Sequence, residues 1–367
     1  MHEELSGVWI MAYTTIDDGS AYFQTKLYTG TGSSNSVTND GNSDLQPDWV
    51  WIKERDGTGQ HGSFDSSRGV QKELKIDEAG TESTAAQSVT AFNSDGFTVG
   101  TAGDYNGSSN EQVAWQWKAN GGSRTTFSES GSNAGGGYQA NTTAGFSIID
   151  YTGTGSSGAT ITHGLGAVPE FFIVKGRSIG DSWTSYHAHN TSAPETDMLK
   201  LDENSATQDN VVFFNDTAPT SSVFTVDGNN GEPKVNQDGE TYIAYCFTEI
   251  QGYSKFGKYT GNNSADGTFV YTGFKPAFIM IKRTDSSGSW VINDSTRNPT
   301  NQANNTLVPD ETWVESTNDY YAMDILSNGF KLRKNSPEIN GSSTTQVYMA
   351  FAEHPFVSSE GVPCTAR

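Results

Sequence analysis

The sequence is short of aliphatic residues, basic residues and cysteine, and each shortage excludes a class of function. Hydrophobic residues make up 34% of the 367, and no apolar run approaches the length of a membrane span, so we expect no membrane insertion. Lys and Arg number 22 against 43 Asp and Glu, which gives a net charge of -21. Because the basic residues are few and scattered, the chain would repel a phosphate backbone, and we expect no nucleic-acid partner.

Two cysteines are present, Cys246 inside an apolar stretch and Cys364 near the end of the chain. A cysteine buried in a strand does not readily meet one in a terminal tail, so we predict two free thiols. The first residues, Met1 to Leu5, lack the basic region and apolar run of a signal peptide. We therefore expect the chain to be made in the cytoplasm.

The residues that are abundant favour an all-β protein. Gly contributes 40 residues and aromatic side chains 11%, while Asn, Ser and Thr crowd the segments between apolar stretches. Many turn-forming residues combined with many aromatic ones are typical of strands joined by polar loops, and not of a disordered chain. No window of helical length carries apolar residues at the i, i+3, i+4, i+7 spacing.

The chain repeats the same motifs three times. A Tyr-Thr-Gly motif begins at Tyr28, Tyr151 and Tyr259, and a strand opened by proline follows at Pro47, Pro169 and Pro276. The period of roughly 105 to 130 residues is too long for a solenoid repeat and suits a complete small domain. Because no helical pattern follows the glycines, we interpret Tyr-Thr-Gly as a turn and not as a phosphate-binding loop.

Each repeat contains two strands that are apolar on both faces. One is the proline-led strand, as in residues 49–52, and the other is an aromatic strand that closes the repeat, as in residues 242–247. Only a central strand that is covered on both sides accepts such a pattern. We therefore predict an all-β fold of three tandem β-sandwich domains, jelly-roll or lectin-like, with about seven or eight strands each.

Changes in composition set the predicted boundaries. Residues 1–26 have no later counterpart and form a short N-terminal arm. The three sandwich repeats span residues 27–120, 146–256 and 257–357. Residues 121–145 are Gly, Ser, Asn and Thr with almost nothing apolar, and we interpret them as a linker. Residues 358–367 form a C-terminal tail.

Metal and cofactor sites are not predicted. His187 and His189 share one face of a strand, a spacing that suits Zn²⁺ or copper, but no Cys or Glu ligand accompanies them, and we favour structural histidines. The loop of residues 39–44 offers the oxygen ligands that Ca²⁺ prefers, but it lacks the twelve-residue EF-hand pattern. Calcium binding by this loop is the alternative that the sequence leaves open.

Two Asp-x-x-Arg pairs stand at matched positions, Asp65 with Arg68 and Asp294 with Arg297. We interpret them as local ion pairs that stabilise turns and contribute little if exposed, with a grip on an anionic group as the alternative. The chain has no Gly-x-Ser-x-Gly elbow, no His-Glu-x-x-His and no Cys-x-x-Cys. We therefore expect no enzymatic activity.

Tryptophans divide into two groups. Four lie in the most apolar strands, where we expect them to pack in the core. Three have more polar neighbours, and we predict that they are exposed and bind a ligand by stacking on a flat sugar ring: Trp183, Trp290 and Trp313.

Several longer motifs resemble those of a known family. They include Pro-Asp-Trp-Val-Trp-Ile-Lys from residue 47, Phe-Asp-Ser-Ser-Arg-Gly-Val from residue 64 and Gly-Tyr-Ser-Lys-Phe-Gly from residue 252. In these motifs the chain, from about residue 12 to residue 367, is similar to marine bacteriophage virion proteins, either tail fibres or concanavalin-like lectin/glucanase-like structural proteins. One departure is Gln116, which stands where the second repeat has Cys246.

This resemblance implies a virion protein that contacts other virion proteins and a host receptor or glycan, and it leaves a homotrimer open. We predict a non-catalytic tail-fibre or adsorption component, attached to the particle through residues 1–26. A capsid decoration or head-fibre protein is the alternative. A glycan depolymerase is a third hypothesis, which requires two carboxylates about 5 to 10 Å apart in a cleft.

Overall fold

A computed structural model of the protein describes residues 12–228 and 234–364. Almost every regular element in it is a β-strand, which confirms the all-β prediction, and the strands fall into three β-sandwich units. The strands of unit 1 are β1 (Phe23–Thr29), β2 (Asn35–Val37), β3 (Trp49–Glu54), β4 (Gly62–Asp65), β5 (Lys72–Lys75), β6 (Ser83–Thr84), β7 (Val89–Asn93), β8 (Gly96–Val99) and β9 (Glu111–Trp117).

The strands of unit 2 are β10 (Thr125–Phe127), β11 (Gly136–Asn141), β12 (Phe146–Thr152), β13 (Ala159–Thr162), β14 (Phe171–Gly176), β15 (Thr184–His187), β16 (Asp197–Lys200), β17 (Gln208–Asp209), β18 (Val223–Val226) and β19 (Thr241–Phe247). Those of unit 3 are β20 (Ser254–Thr260), β21 (Phe269–Tyr271), β22 (Phe274–Arg283), β23 (Val291–Asp294), β24 (Met323–Leu326), β25 (Gly329–Leu332) and β26 (Thr345–Pro355). The helical elements are single turns: α1 (Gly103–Asn106), α2 (Pro337–Asn340) and the 3₁₀ turns Gly19–Ala21, Pro194–Thr196 and Asp319–Tyr321.

The main sheet of each unit has the same four central strands in the same order. An opening strand pairs with the closing strand, which pairs with the proline-led strand, which pairs with a fourth strand. This order is β1-β9-β3-β4 in unit 1, β12-β19-β14-β15 in unit 2 and β20-β26-β22-β23 in unit 3, and all these pairings are antiparallel. The sequence repeat therefore corresponds to a repeat of structure.

A smaller sheet covers the outer face of each main sheet, with the orders β2-β8-β7, β13-β18 and β21-β25-β24. In unit 1, for example, Val50 and Ile52 of β3 lie in one buried cluster with Phe97 and Val99 of β8. Each unit is thus a two-layer sandwich; units 1 and 2 have separate interiors, and the interior of unit 3 is continuous with the apolar cluster that the main sheets share.

The inner faces of the three main sheets meet in one common core. Trp49 stacks on Tyr245 of unit 2 with the ring centroids 4.3 Å apart, and Phe23 stacks on Phe351 of unit 3 at 5.4 Å. Phe247 of unit 2 lies 5.7 Å from the same Phe351, so each unit contacts both others. The two central strands are apolar on both faces because one face meets the outer sheet and the other meets this common core.

The Tyr-Thr-Gly motif is a turn in all three units, as predicted, and a buried asparagine holds it. In unit 1 the Thr31 N–H donates to Asn106 Oδ1 at 2.9 Å, and a Cβ on Gly30 would lie 2.0 Å from a backbone oxygen. Asn236 and Asn340 accept the matching N–H in units 2 and 3, at 2.9 and 3.1 Å. Glycine is required because the backbone of a neighbouring loop crosses at contact distance.

The segment 121–145 differs from the linker that its composition suggests. It contains β10 and β11, and β11 pairs with β12 along its whole length, so the segment widens the main sheet of unit 2. A Cβ on Gly136 would lie 2.1 Å from the backbone oxygen of Asp150. Glycine here permits close backbone approach within a sheet, a role that composition does not distinguish from chain flexibility.

The described part of the N-terminal arm, residues 12–22, runs from unit 1 to unit 3. Tyr13 Oη donates to the oxygen of Gly273 at 2.8 Å, and Thr14 Oγ1 donates to the oxygen of Gln251 at 2.9 Å. The first strand begins at Phe23, so unit 1 starts earlier than the predicted residue 27. The predicted attachment function of residues 1–26 falls partly on residues 1–11, which lie outside the described residues.

Cys246, which is buried in β19, and Cys364 form no disulfide with each other, as predicted. Across residues 12–228 and 234–364, no helix has the length and apolar character needed to cross a membrane.

Candidate functional site

Two of the three tryptophans predicted to bind a ligand are buried. Trp183 is 0% exposed and Trp290 is 2% exposed, so the predicted exposure is wrong for both. Each indole N–H donates at 2.8 Å to a backbone oxygen of the preceding unit, that of Lys75 for Trp183 and that of Lys200 for Trp290. The polar neighbours in the sequence thus belong to a boundary between units. Trp313 is 55% exposed and stays a candidate.

The Asp-x-x-Arg pair of unit 1 is a buried contact with unit 2, which we call junction 1–2. The Asp65 carboxylate accepts hydrogen bonds from the Arg68 guanidinium and, at 2.7 Å, from Tyr245 Oη of unit 2. Glu82 lies 3.5 Å from Arg68 and accepts from Arg177 of unit 2 at 2.9 Å. The predicted ion pair between Asp65 and Arg68 is confirmed, but both side chains are 0% exposed, and the pair joins two units.

The matching pair of unit 3 makes the same contact with unit 1, at junction 3–1. Asp294 accepts from the Arg297 guanidinium and, at 3.0 Å, from Trp115 Nε1 of unit 1. Glu315 accepts from Arg297 at 3.0 Å and from Arg55 of unit 1 at 2.8 Å. Charges at junctions 1–2 and 3–1 therefore alternate in sign, and each buried arginine has a carboxylate partner on either side.

Junction 2–3 has neutral groups at the same positions. His187 stands where the other units have the aspartate, and Asn190 stands where they have the arginine. His187 Nδ1 accepts from the N–H of His189 at 3.1 Å, so its Nε2–H donates to the backbone oxygen of Tyr348 of unit 3, also at 3.1 Å. Thr207 Oγ1 donates to Asn190 Oδ1 at 2.7 Å.

Burial lowers the pKa of His187 to about 4, so this imidazole is neutral near pH 7. The favoured structural role of the His187 and His189 pair agrees with this geometry. Within the described residues no three His, Cys, Asp or Glu side chains form a group that could hold a metal ion. In the loop 39–44, Asn39 faces inward and binds Gln116 and the oxygen of Leu45.

A second threefold set of titratable groups lies at the ends of the proline-led strands. Burial lowers the pKa of three lysines to about 8 and raises the pKa of three aspartates to about 6; these are Lys53, Lys175 and Lys282, and Asp77, Asp202 and Asp310. Each ammonium donates to backbone oxygens, and each carboxylate accepts a backbone N–H just before the fourth strand. Because all three units repeat this arrangement, it indicates a structural role.

Exposed aromatic side chains distinguish unit 3 from the other two. In the described part of the chain, the exposed large aromatic residues are Phe269, Tyr271, Trp313 and Tyr320, with 44, 52, 55 and 42% of their surface accessible. All four belong to unit 3, whereas the large hydrophobic residues exposed in units 1 and 2 are valines. Exposed aromatic side chains are enriched at binding surfaces, so their restriction to one unit makes unit 3 the candidate for binding.

Two of these residues lie side by side on β21, the edge strand of the outer sheet of unit 3. Phe269 and Tyr271 point outward and Val270 between them points inward, as the alternation of a strand requires. Strand register aligns Val270 with Val37 and Ile161, because each faces the first phenylalanine of its partner strand. The residues at the positions of Phe269 and Tyr271 are Ser36 and Thr38 in unit 1 and Thr160 and Thr162 in unit 2.

Tyr13 from the arm completes this surface. Its Oη lies 3.3 Å from Tyr271 Oη and donates to the oxygen of Gly273. Burial and the neighbouring Tyr271 raise the pKa of Tyr13, so its phenol is neutral across the physiological range. We call Tyr13, Phe269 and Tyr271 the aromatic strip. Sequence analysis missed it, although the exchange of Ser and Thr for Phe and Tyr in one repeat is visible when the repeats are aligned.

Comparison with known proteins places the chain in one family, whose function is unknown. The chain belongs to the family of DUF7483, a domain of unknown function, whose profile matches residues 18–355 and so spans all three units. No curated protein and no solved structure matches the chain.

Proposed function

We propose that the chain is a non-catalytic structural protein of a bacteriophage virion, a tail-fibre or adsorption component that presents the aromatic strip to a glycan of the host surface. The observation that carries this proposal is the restriction of exposed aromatic residues to unit 3. The buried Asp65–Arg68 and Asp294–Arg297 pairs each contact the neighbouring unit, as expected of a rigid scaffold. The virion assignment is supported by the resemblance of the repeated motifs to phage virion proteins.

The chemistry of the strip suits a neutral sugar. Phe269 and Tyr271 offer two ring faces at the spacing of alternate strand residues, and an aromatic face packs well on the apolar face of a pyranose. The Tyr271 hydroxyl and the Lys331 ammonium, across the strand pair from Phe269, provide polar groups at the rim. The net charge of -21 disfavours an acidic polysaccharide.

The test exchanges the strip for the residues that unit 1 has at the same positions. The double variant Phe269→Ser with Tyr271→Thr should bind host cells at least tenfold more weakly than the wild type, measured with fluorescently labelled protein. Both substitutions lie on an exposed strand face, so the melting temperature should stay within a few degrees of the wild type. The matched control is Tyr320→Ser, which removes an exposed aromatic residue of the same unit outside the strip.

Undiminished binding by the double variant would refute the role of the strip. Gold-labelled antibody on virions separates a tail position from the alternative of capsid decoration. Release of reducing ends from host polysaccharide would favour the depolymerase hypothesis instead.

A further inference from the structure

A cleft of about 510 Å³ opens between units 1 and 3 beside the edge strand β1. Phe23 and Thr25 of β1 form one wall, and Ser295 and Thr296, which follow β23, form the other. Ala277 and Ala352 also line it.

At junction 1–2 the equivalent position is filled by a strand. β1 and β12 have the same register with their closing strands, which aligns Thr25 with Ile148. Ile148 pairs with Gln139 of β11, and the Gln139 amide nitrogen donates to Ser66 Oγ at 3.0 Å and Ser67 Oγ at 2.6 Å. Ser66 and Ser67 follow β4 as Ser295 and Thr296 follow β23. The cleft at junction 3–1 is therefore lined by the residues that match those around β11 at junction 1–2, but no strand among the described residues occupies it.

At junction 2–3 the same position is filled by a side chain. The residue aligned with Thr25 and Ile148 is Phe256 of β20, which is 0% exposed. Its ring centroid lies 6.2 Å from that of Phe171 and 6.5 Å from that of His187. Junction 3–1 alone has a small residue and no covering strand among the described residues.

A side-chain hydroxyl and a strand edge without hydrogen-bond partners among the described residues border this cleft. Thr25 is 8% exposed, yet its buried hydroxyl has no hydrogen-bond partner among the described residues. β1 is also the terminal strand of its sheet, so the backbone groups on its outer edge are left unpaired by the described strands.

We propose that this cleft binds an extended segment of a partner protein as an additional strand antiparallel to β1. The segment would occupy the place that β11 takes beside β12, an intermolecular form of strand addition. β11, which we use as the template for this segment, indicates which residues the segment should have. β11 has a glycine, Gly136, where its backbone approaches β12, and its Gln139 carboxamide donates to two hydroxyls.

Charge completes the description of the occupant. Asp18, Asp40 and Glu353 line the cleft with Lys275 and His354. Lys26 pairs with Asp40 and Lys275 pairs with Glu353, so Asp18 is the carboxylate that a basic residue beside the carboxamide would suit. A second copy of the chain, with its own net charge of -21, is disfavoured electrostatically. The proposal stands on the cleft and does not depend on the glycan-binding role.

The probe is a fluorescein-labelled peptide with the sequence of residues 133–142, which carries the β11 template. Fluorescence anisotropy should show saturable binding to the full-length protein. Thr25→Phe, which copies unit 3, should weaken binding at least tenfold, and Thr25→Ile, which copies unit 2, should leave it within threefold. A peptide with Ala in place of the Gln139 equivalent should also bind at least tenfold more weakly. Hydrogen exchange should show new protection at residues 23–27.

Absence of saturable binding at millimolar peptide would overturn the proposal. Equal binding by wild type and Thr25→Phe would do so as well, because the peptide would then be exchanging with β11 at junction 1–2. The melting temperatures of both variants establish that the fold is intact.

Discussion

Junctions 1–2 and 2–3 join their units through equivalent strands, but the first uses charged side chains where the second uses neutral ones. In both, the segment after the fourth strand of one unit contacts the closing strand of the next. Both have a matching backbone hydrogen bond between the units: Glu82 N–H to Arg177 oxygen at 2.8 Å, and Thr207 N–H to Thr284 oxygen at 3.0 Å. Yet the first contains a network of four charged side chains, of which Asp65 and Arg68 are fully buried, and the second buries a neutral histidine and an asparagine.

Because the two junctions differ in charge but not in backbone pairing, we infer that backbone pairing and the common core set the relative positions of the three units. Charged side chains can be buried at a junction when every member of the network has its hydrogen-bond and ion-pair partners. The partner side chain decides which option fits. Tyr245 and Trp115 offer a polar hydrogen to an aspartate, whereas the residue at their position in unit 3 is Met349, which offers none. His187 accordingly turns to a backbone oxygen.

The largest effect should come from breaking a charged junction. Asp65→Asn keeps the shape of the side chain but leaves the Arg68 guanidinium buried beside a neutral amide. We expect a loss of about 3–5 kcal/mol in the free energy of unfolding, measured by urea titration. The matched substitution at a partly exposed ion pair, Asp150→Asn beside Arg124, should cost less than about 1 kcal/mol. Similar losses for the two variants would show that burial does not govern the strength of the junction.

A smaller effect should come from acid, which should destabilise the neutral junction 2–3 through His187. Burial holds the pKa of His187 at about 4 in the folded chain, against an ordinary value near 6.5. The unfolded state therefore binds more protons, and the contribution of His187 to stability is complete above pH 6.5 and is lost as the pH falls toward 4. Between pH 7 and pH 4.5 the wild type should lose about 2 kcal/mol more than His187→Gln. Parallel stability curves for the two proteins would contradict this assignment.

The sequence predicted the repeated architecture because repetition and alternation are local patterns. The doubly apolar strands around Trp49 and Tyr245 required cover on both faces, and the structure provides it through an outer sheet and a common core. What the sequence did not show is that the cover on one side comes from the other two units. Contacts between distant repeats leave no periodic signal along the chain.

The same limit explains the misplaced candidates. Trp183 and Trp290 have polar neighbours because they lie at a boundary between units, and polar groups at such boundaries find partners that are far away in sequence. Composition favours a linker at the Gly-rich residues 135–137 because glycine serves both flexibility and close packing. The aromatic strip is the opposite case, because Phe269 and Tyr271 replace hydroxyl residues at aligned positions and the sequence contained the signal.

The smallest effect should come from removing one hydroxyl from each kind of junction. Tyr245→Phe deletes the donor to Asp65 at junction 1–2 and should cost about 1.5 kcal/mol, the low end for a hydrogen bond to a charged group, because Asp65 keeps its hydrogen bonds from Arg68. Tyr348→Phe at junction 2–3 should cost less than about 0.5 kcal/mol, because His187 contacts the backbone oxygen of Tyr348 and not its ring hydroxyl. Urea unfolding of both variants gives the comparison, and equal losses would mean that the tyrosine hydroxyl serves packing at both junctions and not the charge of Asp65.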